Sequence, residues 1–541
     1  MPGSAFRPAR RVAGLTAIAL ACGGLTLLAQ SADRVDYDAV YRIKDEGLQR
    51  SQVMDIASYL TDVHGPRLSG SPAYKTGAAW AEQKFTEWGL VNVKQEPFEF
   101  GRGWTNDRMV AHVVEPQRYP IIAYPQAWTP GTDGPVTAEV VLALVESESD
   151  MEKLKGQLKG KIVLAQRPRD VKAQFEPQGK RYTDKELEEM TSAEDPARAA
   201  EARRRMMPPG APMDFRAMMA LRQKRAKFFA DEGVVAVLET GMKGDGGTVF
   251  VQGGGSHKPK DPMGAPMLTV AAEQYGRIYR TIEKKIPVKM ELDVKNTFHD
   301  ADLNSYNIVA EIPGTDPKLA GEVVMLGGHF DTWHTGTGAT DNSAGSAVMM
   351  EAIRIITASG LKPRRTIRIA LWGAEEQGLL GSRAYVKEHF ADRETMALKP
   401  DHGKVSAYFN VDNGTGAIRG VYLQGNEALA PTFRAWMEPF HSLGMTTLSP
   451  RNTGGTDHLA FDAVGIPGFQ FIQDEVEYST RSHHSNMDVY ERLQPFDMMK
   501  NAVIVASFVY HTANRDQMLP RKPLPKPQPA NQGRPGFPTS M

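Results

Sequence analysis

Cysteine is nearly absent from this sequence: Cys22 is the single one in 541 residues, and it lies inside an N-terminal apolar run. If that run is removed the chain has no thiol, which excludes disulfide bracing and thiol catalysis. Net charge is missing as well. The 64 lysines and arginines balance 64 aspartates and glutamates, so no nucleic-acid partner and no anionic membrane surface is expected. There is no HExxH helix, which leaves a single-zinc site of that type without support. No GxSxG elbow with a later aspartate and histidine is present, which argues against a serine hydrolase. Gly253-Gly254-Gly255-Ser256 lacks the Gly-Lys-Ser/Thr ending of a phosphate-binding loop.

What is present begins with a leader. Arg7, Arg10 and Arg11 precede the apolar run 12–29, and Ala29-Gln30-Ser31 fits a small-residue cleavage site. Residues 1–31 therefore read as a secretory signal peptide, and the chain is expected to be exported, periplasmic or secreted, with no membrane contact after cleavage. An uncleaved anchor is the alternative. Ala19-Leu20-Ala21-Cys22 is a poor lipoprotein box, because a larger aliphatic residue is expected where Ala19 stands; lipidation at Cys22 is left open.

The length calls for two or three domains. Residues 32–120 hold two helical patterns, near 36–62 and 74–88, around the turn-rich Gly65-Pro66-Arg67-Leu68-Ser69-Gly70-Ser71, and then a strand at 91–98. Residues 121–297 read as a β-rich module of short strands between glycine and proline turns. Within it, the charged, methionine-rich stretch 167–225 reads as solvated helices and loop, with a binding arm as the lesser alternative. From 298 to 515 strands alternate with helices, which argues for an α/β unit with a mostly parallel sheet covered by helices. Residues 516–541 are proline-rich, without periodicity, and expected to be disordered.

Candidate ligands stand at the carboxyl ends of successive strands, where functional groups gather in such sheets. The first strand runs through Val323-Val324-Met325-Leu326 to His329 and Asp331, and a Gly/Thr-rich loop continues to Asp341. The second, TIRIALW, leads into Glu375-Glu376, and the third ends at Asp412. The last leads to Ser482-His483-His484-Ser485. Singly, each has a bland role: a satisfied strand-end histidine, a helix cap at Asp341, an exposed acidic pair, an Asx turn. Together they converge too much negative charge to stand without cations. Two like unit charges about 4 Å apart repel by roughly 4 kcal/mol at an effective dielectric near 20. Carboxylate and imidazole donors suit zinc, and a metal pair roughly 3.5–4 Å apart can clamp both an attacking water and a carbonyl oxygen.

GGHFDTWHTGTGATDNSAG, LWGAEEQGLLGS, FNVDNGTG and HHSNMD resemble the metal-binding blocks of metallopeptidase family 28, the dinuclear-zinc exopeptidases, and are nearest to its carboxypeptidase Q branch with exported bacterial members. The resemblance, which includes GPRLSGS, covers most of the chain after the leader. It implies a zinc-exopeptidase fold, with the β-rich module as an inserted protease-associated domain that can cover the cleft or mediate homodimer contacts. It implies two Zn2+ per chain, Asp341 bridging them, His329 and Asp412 completing one position, and Glu376 and His484 the other. His484 is preferred to His483 because the family histidine stands four residues before an aspartate, here Asp488. Glu375 would be the general base and Asp331 would orient His329. The segment with Asp457 and His458 resembles a substrate-pocket motif, and Arg451, Arg481 and Tyr478 are candidate carboxylate contacts. His334 is left open between substrate contact and turn cap. The implied activity is hydrolysis of a terminal peptide bond of short peptides by a bridging water that Glu375 activates, as an aminopeptidase or a dipeptidase or carboxypeptidase. Two readings stand against it: a glutaminyl cyclase-like single-zinc acyltransferase, which metal stoichiometry would reveal, and a non-catalytic receptor-like member, in which metal residues would have decayed.

Overall fold

The computed structural model describes residues 34–193 and 215–528. The signal-peptide expectation, Cys22, and the arginine run 203–205 fall outside the described residues. Two eight-stranded sheets organise the chain. The first contains Val323–His329 at its centre, paired in parallel with Thr366–Trp372 on one side and Val405–Asn410 on the other. Gly468–Gln473 follows in parallel, while Val91–Glu99 and Asn304–Ile312 close one side antiparallel. The sheet is therefore mixed, with a parallel core.

Side chains alternate across this core with the strand period of two. Val324, Leu326, Ile367, Ile369, Ala407 and Phe409 pack on one face against the helices Ala344–Ala358 and Pro495–Asn514. Val323, Met325, Ala370, Trp372 and Tyr408 pack on the other, with Tyr385 and Phe461 from the helices Leu380–His389 and His458–Asp462. All seven residues of Val323–His329 are buried. Burial on both faces is why this strand reads as a continuous apolar run instead of an alternating one. The N-terminal helices are capped conventionally: Asp36 accepts from Ala39 N–H, and Ser71, ahead of Pro72, accepts from Tyr74 N–H.

The second sheet spans residues 103–299 and has its own core around Leu164, Leu238, Met290, Leu292 and the helix Ala272–Glu283. Its longest strand, Gly103–Glu115, pairs along its length with Lys289–His299. That strand was grouped above with residues 32–120; its alternation is that of any half-buried strand, and only the distant partner assigns it to this sheet.

Two other segments differ from expectation. The charged stretch is not simply solvated. Lys180 pairs through its backbone with Val476, and Arg181 meets Asp474 at 2.9 Å and Asp497 at 2.6 Å. Residues 516–528 are ordered against the first unit: Leu519 is 2% exposed and Arg521 donates to the carbonyls of His402 and Val405. A proline-rich segment can be held through carbonyls and side chains without any periodic pattern to announce it. Residues 529–541 lie outside the described ones.

Candidate metal centre

Register brings the strand ends together. His329 lies level with Trp372, and Gly327 with Asn410, so His329, the turn Glu375-Glu376 and Asp412 all leave the sheet on one edge. Glycine permits the crowding: a Cβ on Gly327 would stand 2.0 Å from the Ala370 carbonyl oxygen. Beyond His329 the chain turns back through Ala339–Ser343 into the helix Ala344–Ala358. Asp341 does not cap that helix. Asn342 takes this part, its Oδ1 accepting from Gly345 N–H at 2.9 Å, which leaves the Asp341 carboxylate for the centre.

Asp341 stands between two histidines. Its Oδ1 is 3.2 Å from His329 Nε2 and its Oδ2 is 2.9 Å from His484 Nε2. His329 Nε2 is also 3.3 Å from Asp412 Oδ1, and His484 Nε2 is 2.9 Å from Glu376 Oε2. The five side chains thus form two groups that share one carboxylate. In a tetrahedral zinc site with bonds of ~2.0–2.1 Å, neighbouring donor atoms stand about 3.3 Å apart, close to these spacings. His483 is the more distant of the adjacent pair, 3.7 Å from Asp341 Oδ2, and its ring packs at a tilt between Tyr478 and His484.

The electrostatics of the described atoms suit a cation. Glu376 Oε1 is buried and accepts no hydrogen bond from the described residues. Burial and Asp341 push the Glu376 carboxyl up to about 8. Burial also raises Glu375 well above the usual carboxylate range, with Asp412, Asp457 and Glu376 adding to it. The imidazoles answer the same excess of negative charge. Burial would lower His484, but Glu376 and Asp341 outweigh it and raise it to about 10; His329 is likewise held well above its ordinary value by Asp412, Glu375, Asp331 and Asp341. Protons are thereby held where divalent ions fit. The donor atoms fall into two clusters able to hold metal, one containing His329, Asp341 and Glu376, the other Asp341, His483 and His484.

Around this centre the supports are buried too. The expected contact between the Asp331 carboxylate and His329 is long, 3.7 Å; the Asp331 carbonyl stands nearer, 2.9 Å from His329 Nδ1. The carboxylate instead accepts the N–H groups of Glu375 at 3.0 Å and Glu376 at 3.3 Å, fixing the acidic turn. Asp488 accepts from Thr340 N–H at 2.6 Å and Asp341 N–H at 3.2 Å, and burial together with Asp341 pushes its carboxyl up to about 7. Trp333 Nε1 donates to Glu376 Oε2 at 2.7 Å. Arg67, fully buried, donates to the carbonyls of Phe330 and Leu60 and to Ser343 Oγ, which ties the GPRLSGS loop to the strand end.

The substrate candidates fare unevenly. Asp457 is fully buried with the Ser382 hydroxyl near it, and burial pushes it up to about 7. His458 is buried 3.0 Å from the Gln424 amide, and burial lowers it to about 4. Tyr478 packs over Gly414 and His483 near the centre. Arg481 donates to Gln178 and Arg451 to the carbonyls of Ser192 and Glu189, so both are engaged by the charged stretch of the inserted unit. His334 neither caps a turn nor stands free: its Nε2 is 2.7 Å from the Pro125 carbonyl and its ring meets Trp104 edge-on.

Sequence reasoning passed over Trp333, the clamp at Asp488 as a holder of Asp341, and Gln252, whose amide stands 2.7 Å from His484 Nδ1. The HHSNMD block carried a signal for Asp488. Gln252 is 232 positions from His484 and carried none.

Among the described residues no helix is long and apolar enough to cross a membrane. Residues 307–509 match the model of peptidase family M28. Mouse carboxypeptidase Q is 27% identical over 490 residues, covering 89% of this chain and 90% of its own. A crystal structure of a peptidase M28 precursor from Shewanella amazonensis superposes with a TM-score of 0.64 at 24% identity, covering 90% of this chain and 98% of its own. A zinc aminopeptidase from Bacillus subtilis gives 0.55 at 20% identity, over 86% and 95%. Both solved structures share the fold.

Proposed function

We propose that the chain, whose residues 307–509 match peptidase family M28, is a dinuclear-zinc exopeptidase acting through an activated water, with a division of labour among its residues. Asp341 would be shared by two zinc ions, His329 and Asp412 would hold one, and Glu376 and His484 would hold the other. The observation that carries this is Asp341 itself, whose two oxygens face different histidines at 3.2 and 2.9 Å. When bound, zinc supplies Lewis acidity toward a scissile carbonyl and lowers the pKa of water. Glu375 takes a proton from the attacking water and returns it to the leaving amine nitrogen as the carbon–nitrogen bond breaks. Its side chain makes no hydrogen bond to the described residues, and its backbone is fixed by Asp331. Asp331 also holds the turn that places Glu375 beside Glu376.

The substrates are short peptides cleaved at one end. The sheet unit at 103–299, which we read as a protease-associated domain, and its stretch 178–192 crowd the loop that leads to His484, an arrangement suited to small substrates. The leader 1–31 makes the protein an exported enzyme. Specificity follows from which charged end the site requires. Free, N-blocked and C-amidated dipeptides, each with and without chelator, decide it. Loss on N-blocking alone identifies an aminopeptidase, loss on amidation alone a carboxypeptidase, and loss on both a dipeptidase. Cleavage that survives complete zinc removal would overturn the proposal.

A further inference from the structure

The two metal positions are supported differently. The ring nitrogen of His329 opposite the centre, Nδ1, meets the Asp331 carbonyl two residues along the same chain segment. His484 Nδ1 meets Gln252, which belongs to the inserted unit. Gln252 does not arrive alone. Val251 N–H donates to the His484 carbonyl at 2.9 Å, Phe250 bridges Ser485, and Val249 exchanges bonds with Asn486 at 2.8 and 3.1 Å. Residues 249–252 thus form a short antiparallel ribbon with 484–486. The ribbon holds His484 in the left-handed region, φ 63°, which costs a residue with a side chain roughly 1–2 kcal/mol.

The glycine run 253–255 finds its use next to Gln252. A Cβ on Gly255 would stand 1.8 Å from the Trp128 carbonyl oxygen, and one on Gly254 would stand 2.4 Å from Gln126 Oε1. Trp128, so placed, meets Trp333 edge-on at 6.0 Å, and Trp333 in turn donates to Glu376. Both histidine and carboxylate of this second position are therefore backed, directly or through one ring, by the inserted unit.

We infer that Gln252 is a positioning residue for the metal position formed by His484 and Glu376, so that the inserted sheet unit sets the affinity of that position and not of the one formed by His329 and Asp412. A histidine that gives Nε2 to a metal carries its proton on Nδ1, and that proton needs an acceptor. A half-turn of the Gln252 amide exchanges its nitrogen for its oxygen, which presents the acceptor. Removing such a partner costs roughly 10–100-fold in metal affinity.

The inference rests on the two-zinc reading, and one experiment separates them. The zinc-loaded full chain is dialysed against graded zinc buffers and the retained zinc is counted, for wild type, Gln252→Leu and Gln252→Glu. Wild type retains two ions. Gln252→Leu loses one of them at free zinc roughly 10–100-fold higher than wild type does, holds the other unchanged, and melts like wild type when metal-free. Gln252→Glu, which keeps an acceptor, restores the second ion. Two ions released by Gln252→Leu at wild-type concentrations would overturn the inference alone, as would equal weakening of both ions together with a lower metal-free melting temperature, or failure of Gln252→Glu to restore binding. Fewer than two ions on wild type would overturn the two-zinc reading and the inference with it.

Discussion

Glu375→Gln separates proton transfer from metal binding, because the two neighbouring glutamates have different surroundings. Glu376 is tied by His484 at 2.9 Å and by Trp333 at 2.7 Å. The Glu375 side chain is tied to none of the described residues. Its backbone is anchored regardless of side chain: its N–H donates to Asp331 Oδ1 at 3.0 Å, and its carbonyl accepts from Gly378 and Leu379, both at 2.8 Å. Glutamine has nearly the same shape and can occupy the place without disturbing the turn. Its amide cannot take a proton from water, and removing a general base lowers turnover by roughly 10²–10⁴, about 3–5 kcal/mol on the barrier. Zinc content should remain at two per chain and KM should move little, since no substrate contact is removed. The metal-free variant should also melt above metal-free wild type at neutral pH. Burial and the acids Asp412, Asp457 and Glu376 disfavour the ionised Glu375 side chain, and glutamine carries no charge to disfavour. Dipeptide turnover, zinc emission and melting with chelator measure the three quantities. A fully active Glu375→Gln refutes the assignment of the base; an inactive variant that has also lost zinc makes Glu375 a ligand and refutes it equally.

Asp331→Asn should lower kcat by roughly 10–100-fold while the protein stays folded, because an amide can accept from one of the Glu375 and Glu376 N–H groups but must turn a donor toward the other; unchanged kinetics would show that the acidic turn needs no such clamp. The metal-free protein should lose stability as pH rises from 6.5 to 8.5. Glu376 near 8, Asp457 and Asp488 near 7, and His484 near 10 all lie above their ordinary values of 4.5, 3.8 and 6.5. The native state therefore binds more protons than the unfolded chain in that window, and stability falls through it. The buried histidines held low, His334 and His458 near 4, are neutral in the native state but about half protonated in the unfolded chain at pH 6.5, so they oppose this slope at its lower end and add nothing by 8.5. Melting curves of chelated protein at pH 6.5, 7.5 and 8.5 test the sign, and the stabilisation by zinc should grow over the same steps; a metal-free melting temperature that rises with pH would contradict it.

Three of the proposed ligands stand out in the sequence because each ends a local pattern: a buried apolar run before His329, TIRIALW before the turn with Glu376, a strand before Asp412. The strand periodicity also gave the fold class. What periodicity does not carry is partnership. Gly103–Glu115 has the look of any strand, and its partner Lys289–His299 lies far along the chain. The same limit hid the outer contacts of the centre. Asp331 was marked as a support for His329, yet its carboxylate reaches the two glutamate N–H groups, a choice made by the register of Val323–His329 against Thr366–Trp372. Arg481 and Arg451 look like free cations in sequence because their partners, Gln178, Ser192 and Glu189, belong to a stretch with no pattern of its own.

That limit bears on why an inserted unit sits beside this centre. His329, the Glu375-Glu376 turn and Asp412 leave strands whose pairing already fixes them, so their order comes with the sheet. His484 follows the irregular turn Tyr478–Ser482 and stands in a left-handed conformation with no strand of the first sheet to hold it. Ordering one backbone residue costs roughly 1–2 kcal/mol, and a loop of several residues would draw that cost from the binding of its ion. The ribbon between 249–252 and 484–486 is made of hydrogen bonds within the protein and uses no metal ligand atom, so it can supply that order independently of the ion. A proposed ligand that no strand of the first sheet holds is held by the second unit, and the proposed dependence of one metal position on Gln252 is the measurable consequence.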